Sequence, residues 1–143
     1  MDMTKNINKA RAPYDYYNSF KKEELYIVDL ANSDLSDARK VGTHQVVTIP
    51  KGFMLVGGRT AFNRAVTSGG AATVQIKFNG SNLTKAFAIA DMTEGKGFAF
   101  DLVAGINSKV IADSATVDIV IAGADLTDGE FGIVLELTDT NKH

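Results

Sequence analysis

Residues 62–80 read FNRAVTSGGAATVQIKFNG. A serine and two glycines precede an apolar run, and two very different structures make that pattern. A phosphate-cradling loop sets such glycines between a strand and a helix, whose first N–H groups meet the anion. A strand connector sets them between two strands. Here the run after the glycines alternates with period 2: Val74, Ile76 and Phe78 on one side, Thr73, Gln75 and Lys77 on the other. No Gly-x-x-x-x-Gly-Lys pattern occurs in the chain. The glycines are therefore a bend between strands, and the segment belongs to a sheet.

The same period extends outward in both directions. ELYIVDL (24–30), HQVVTI (44–49), FMLVGGRTAF (53–62), TKAFAIA (84–90), GFAFDLV (97–103), TVDIVIA (116–122) and EFGIVLEL (130–137) read as strands, with KVIA (109–112) a weak edge. Gly57-Gly58 marks a bulge or bend, and Ser33 or Asp34 suits the cap of a short helical turn. Asp128-Gly129 suits a hairpin bend between the last two strands. Eight to nine short antiparallel strands with Gly, Asn and Asp turns predict an all-β domain, a β-sandwich or jelly roll.

The chain has 143 residues, which predicts one domain. Composition shifts near residue 22. Residues 1–22 carry Lys5, Lys9, Arg11, Lys21 and Lys22 against two acids, with Tyr14, Tyr16, Tyr17 and Phe20 clustered. Pro13 disfavours helix at Ala12. This segment reads as an N-terminal arm (1–22) ahead of a single sandwich domain (23–143). Tyrosine combines apolar area with a polar tip, as interfaces prefer, so Arg11, Tyr14, Tyr16, Tyr17, Phe20, Lys21 and Lys22 are the candidate interface residues.

Charge is unevenly laid out. Residues 41–90 hold five bases and no acid, and residues 91–143 hold ten acids and three bases. Either neighbouring strands neutralise each other, or a positive face of one subunit meets a negative face of the next. The pI near 5.6 argues against a nucleic-acid partner. No run approaches the ~18 apolar residues of a membrane span. The N-terminus lacks the apolar core of a secretory signal, which predicts synthesis in a cytoplasm.

Reactive constellations are sparse. With no Cys, thiolate metal sites and disulfides are excluded. His44 and His143 have no ligand spacing, and no Gly-x-Ser-x-Gly elbow is present. Glu24, Asp29, Asp101, Asp118 and Glu136 fall opposite the large apolar residues or at strand ends, so solvated strand faces explain them. Asp125, Asp128 and Glu130 lack the twelve-residue calcium loop. No catalytic residue, metal or cofactor is expected, and the chain reads as non-enzymatic.

Ile49-Pro50-Lys51-Gly52, Phe53 to Val56, Ala61-Phe62-Asn63, Ser68-Gly69-Gly70 and Ala72-Thr73-Val74 follow one another in a familiar order. This series, with the ending ATVDIVIAGADLTDGEFGIVLEL, resembles small virion structural proteins of tailed bacteriophages. The resemblance covers roughly residues 44–138 and leaves out the arm. It implies a β-sandwich that decorates or cements a phage capsid, with the major capsid protein as partner. It also implies a homo-oligomer, often a trimer, on the virion surface, without a cofactor. A head-fibre base, neck or tail component on the same sandwich is the alternative. A carbohydrate-binding module is a further one, although the chain has no Trp for a sugar platform.

Overall fold

Alternating apolar side chains close over one another in two antiparallel sheets. The computed structural model describes residues 21–102, 111 and 113–139. Its strands are β1 (Lys21–Asp29), β2 (Gly42–Pro50), β3 (Phe53–Ser68), β4 (Thr73–Phe78), β5 (Ser81–Asn82), β6 (Phe87–Ala88), β7 (Gly97–Ala99), β8 (Ser114–Ala122) and β9 (Leu126–Asp139). One sheet has the order β1-β9-β3-β7. The other runs β2-β8-β4, with β5 and β6 both paired to β4.

The pairing is nested. β1 pairs with β9, β2 with β8, β3 with β7 and β4 with β6, as in one long two-stranded ribbon whose tip lies near β5. The ribbon is rolled so that β9 also meets β3 and β8 also meets β4. That is a jelly roll, as the alternation predicts.

The predicted inward positions fill the core. Val74, Ile76 and Phe78 of β4 and Val117, Ile119 and Ile121 of β8 face Phe131, Ile133, Leu135 and Leu137 of β9, all buried. Phe62 sits at the centre, edge-on to Phe87 at 5.7 Å between ring centroids and tilted against Phe131 at 5.6 Å. β3 and β9 belong to one sheet and β6 to the other, so these rings join the two layers.

The stretch at 68–72 is the connector between sheets. Ser68 ends β3, and its Oγ donates to the Asp125 carbonyl at 2.6 Å and accepts from Gly70 N–H at 3.2 Å. The Gly57-Gly58 bulge is present, with a register shift between Leu55 and Gly57.

Four expectations change. β8 and β9 lie in different sheets, so Asp128-Gly129 is no hairpin bend. The pair sits inside β9 where β3 and β9 slip in register, and a Cβ at Gly129 would stand 2.7 Å from Val66 Cα. The short 3-10 segment Ser33–Arg39 is capped by Asn32, not by Ser33 or Asp34: the Asn32 side chain accepts from Asp34 N–H at 2.9 Å. The strand predicted over 84–90 is cut to β6, followed by a 3-10 turn at Ile89–Asp91. Thr84 causes the break, because its hydroxyl accepts from Ile76 N–H at 3.1 Å and donates to the Lys85 carbonyl at 2.8 Å. These bonds stand where a main-chain ladder would run. The strand predicted over 97–103 ends at Ala99. Beyond it Phe100 N–H reaches Gly58 O, and Asp101 N–H crosses to Leu83 O. Of the weak edge at 109–112, only Ile111 lies among the described residues; it is buried and bonds with Gly52 and Phe53 through its main chain.

Candidate functional site

The two outward faces of the jelly roll differ in chemistry. On the β2-β8-β4 sheet the outward residues are polar for the most part: Thr48 opposite Thr116, and Asp118 between Gln45 and Lys77. On the other sheet two adjacent cross-strand rows are apolar or small. One row runs Leu25, Val134, Arg59, Ala99, and the next runs Ile27, Gly132, Ala61, Gly97. Leu25 is 60% exposed and Ile27 52%. Gly132 has no side chain, so Leu25 and Ile27 lean across β9 there; Leu25 Cδ1 would lie 3.2 Å from a Cβ at this glycine. Covering the exposed remainder of these two side chains would stabilise a contact by about 1–2 kcal/mol each.

Charge frames this apolar band. At one end Glu23 and Glu136 are register partners. At the other, Arg64 of β3 joins three strands: its guanidinium donates to Asp29 at 2.8 Å and to Asp128 at 3.1 Å. Arg64 holds the Asp29 carboxyl below the usual range, with help from Ala31 N–H. Gly129 N–H and then Arg64 do the same for Asp128. Arg59 stands within the band, and among the described residues it makes no ion pair. An apolar centre with a polar rim is the anatomy of an interface.

A second cluster lies where β1 begins. Lys22 Nζ contacts Glu24 at 2.8 Å and lies 5.6 Å from the centroid of the Phe53 ring. Tyr26 donates its phenolic hydrogen to Glu24. Burial pushes the Glu24 carboxyl up, but the bonds from Lys22 and Tyr26 together outweigh it and the net shift is downward. Burial, and then Glu24, raises the Tyr26 phenol well above its usual 10.0.

Of the candidate interface residues, Arg11, Tyr14, Tyr16, Tyr17 and Phe20 lie outside the described residues. Lys21 and Lys22 are the first residues of β1, opposite Thr138 and Leu137. The sheet therefore begins two residues inside the segment read as arm, and Lys22 is engaged within its own chain. Leu25 and Ile27 were not singled out in the sequence. Their signal was there: ELYIVDL is apolar at consecutive positions, so it presents apolar groups to both faces of its sheet.

Several of the acidic residues considered for chemistry have local partners. Asp125 accepts from Val41 N–H, Asp118 from Thr116, and Asp29 and Asp128 from Arg64. Among the described residues, no group of three or more His, Asp or Glu side chains is placed to hold a metal ion. No helix of the described residues is long and apolar enough to cross a membrane. None of the described aromatic side chains is among the exposed residues.

No family model matches the chain, and no curated protein does. Solved structures do. A chain from the capsid of Ralstonia phage GP4 superposes with a TM-score of 0.56 at 11% identity, over 83% of this chain and 84% of that one. A chain from the acid-stable capsid of Helicobacter pylori bacteriophage KHP30 gives 0.54 at 11% identity, over 82% and 92%. The sugar-binding EclA C-terminal domain gives 0.43 at 10% identity. The chain thus has a jelly-roll fold that is also found in chains of phage capsids.

Proposed function

We propose that this protein is a non-enzymatic virion component that decorates and stabilises a phage capsid by bridging neighbouring capsid subunits. The observation that carries the reading is the reciprocal coverage of the two phage capsid chains. Each aligns over more than four-fifths of its own length, so each is itself a single jelly roll of about this size. The present chain resembles capsid chains of about its own size. A framed apolar face, locally matched carboxylates and an aromatic N-terminal segment support binding and not chemistry. The partner would be the major capsid protein, and the working unit a homo-oligomer, with a trimer as the first expectation. Arg11, Tyr14, Tyr16, Tyr17 and Phe20 would supply the anchoring, since aromatic residues and Arg dominate interface hot spots.

The test mixes purified protein with capsids assembled without it and measures occupancy by sedimentation. The full chain should bind and should raise the temperature at which the shell opens. A variant lacking residues 1–19 keeps β1 whole; it should fold and lose its occupancy. Full occupancy by the truncated protein would remove the arm from the mechanism. Failure of the full chain to bind capsids, or to change their melting, would overturn the reading itself.

A further inference from the structure

We propose that the open edge of β1 is a two-fold contact between copies of this chain. β1 of a second copy pairs with it antiparallel, Leu25 against Leu25, and the two β1-β9-β3-β7 sheets become one. The inference deepens the proposed function by naming a contact between copies, and in that it rests on the proposal that the protein works as a homo-oligomer. A two-fold contact joins copies two at a time. Where other surfaces hold the copies as trimers, it links one trimer to the next.

A sheet edge exposes a row of unpaired N–H and C=O groups, and proteins blunt such edges with short strands, bulges or proline. Most edges of this jelly roll are blunted in that way. β7 has three residues, and β5 and β6 have two each. β2 is bulged between Gln45 and Val47 and ends in Pro50. β1 runs nine residues against β9 in unbroken register, without Gly or Pro. Charges at its start are matched within the chain by the Lys22–Glu24 pair. Its middle, Leu25 to Val28, is uncharged.

Hydrogen-bond parity sets what this edge offers. Leu30 N–H bonds to Gly129 O at 2.8 Å, and the two stand directly opposite when the β1–β9 register is continued past Asp29 and Glu130. Even-numbered residues of β1 therefore turn their main chain toward β9, and odd-numbered residues turn theirs to the open edge. Gly132, opposite Ile27, agrees: its carbonyl points the other way and accepts from the Thr60 hydroxyl of β3. Glu23, Leu25 and Ile27 thus present N–H and C=O groups to the edge, and among the described residues no main-chain group bonds them. The side chains of Leu25 and Ile27 stand on the exposed face of the same strand.

Charge then selects the register, and with it the occupant. Parity requires odd residues opposite odd ones. Centred on Leu25, the pairing overlaps all nine residues of each strand and opposes no two like charges. Centred one residue earlier, Glu24 meets itself. Centred one residue later, Glu23 meets Asp29. Like charges directly opposite destabilise a strand pair. In the Leu25 register, Glu23–Ile27, Leu25–Leu25 and Ile27–Glu23 exchange about six main-chain bonds. Each Ile27 also lies diagonal to the other copy's Leu25, close enough for contact. Four exposed apolar side chains then close over the two-fold axis. β1 is complementary to itself, and a second copy is the partner that supplies this strand.

The test uses the full chain without capsid. Wild type, Leu25→Lys and Leu25→Glu are sedimented singly, and the two variants are then mixed. Position 25 meets itself on the axis, so each variant alone opposes like charges and should fall to half the wild-type mass. The mixture opposes Lys to Glu and should regain the full mass, a recovery that misfolding cannot produce. Leu25 is exposed, so both variants should keep the circular dichroism spectrum. The chain has no cysteine, so introduced thiols report the register. Across the axis the two residues at position 25 are about 5.5 Å apart between Cα atoms, within disulfide reach. Those at position 27 are about 14 Å apart along the strands. Leu25→Cys should cross-link on oxidation. Ile27→Cys should do so only when mixed with Glu23→Cys. A wild type with an odd number of chains, a Leu25→Lys variant of unchanged mass, a mixture that stays at half mass, or cross-linking at 27 and not at 25 would each overturn the proposal. So would a monomeric wild type whose capsid occupancy is lost in Leu25→Lys, which would assign the edge to a capsid strand. Because the masses are read without capsid, their failure leaves capsid binding to be judged by occupancy.

Discussion

Tyr26 shows how one side chain ties stability to pH. Its phenol is partly buried and bonded to Glu24, which is in turn bonded to Lys22. Both the burial and the neighbouring carboxylate disfavour the phenolate. The folded-state pKa is raised, so the unfolded chain loses this proton first. The stabilisation is complete below the ordinary tyrosine value of 10.0 and fades as pH rises through the folded value. Chemical denaturation from pH 8 upward should therefore show a decline starting near pH 10, and Tyr26→Phe should flatten it. An unchanged alkaline slope in that variant would place the sensitivity elsewhere. Arg64 has the opposite sign. Asp29 and Asp128 are lowered, so their contribution is present above the ordinary carboxylate range near pH 4 and is lost as pH falls through the folded values. Arg64→Gln should raise the pH of acid unfolding, and NMR titration should find both carboxyls moved up toward ordinary values.

At the scale of elements, two glycine sites of similar appearance in the sequence have different jobs. Gly58 has φ near +148°, and a Cβ there would stand 2.3 Å from the Val134 carbonyl and 2.7 Å from the Phe100 ring. Gly69 has nothing within 4 Å and no positive φ between +20° and +160°. Gly58→Ala should cost more than about 1 kcal/mol, because the native backbone does not admit a side chain. Gly69→Ala should be neutral or stabilise by about 0.4–1 kcal/mol through the unfolded state. Urea midpoints of the two variants check this, and equal midpoints would contradict it. The contrast also shows how much was legible in advance. The alternation of β4, β8 and β9 placed their inward residues correctly, because period 2 carries burial directly. The glycines at 57–58 were readable as a bulge. The break at Thr84 was not, since a hydroxyl that replaces main-chain bonds leaves no mark on hydrophobic periodicity. Nor was the location of Asp128-Gly129 inside β9, because turn chemistry and bulge chemistry use the same residues. The exposed pair Leu25 and Ile27 was hidden for a related reason. A strand apolar on both faces reads as doubly buried until the fold leaves one face of its sheet uncovered.

For the molecule as a whole, the nested ribbon makes the last strand a central one. β9 pairs with β1 on one side and β3 on the other. Most strands thus wait for partners far away in sequence, and long-range pairing of this kind folds slowly. β9 also supplies Phe131, Ile133, Leu135 and Leu137, each 1% exposed or less. At about 1.5–3 kcal/mol for each buried side chain, those four alone account for about 6–12 kcal/mol, the size of a whole domain's net stability. Ending the chain before Leu126 should therefore abolish the fold altogether, where removal of residues 1–19 should leave it standing. Circular dichroism on both truncations separates the two cases. The shortened C-terminal variant should show no cooperative thermal transition, and the N-terminal one should melt within a few degrees of wild type. A cooperative melt without β9 would mean that β1 and β3 can meet directly, and the rolled-ribbon account of this core would fail.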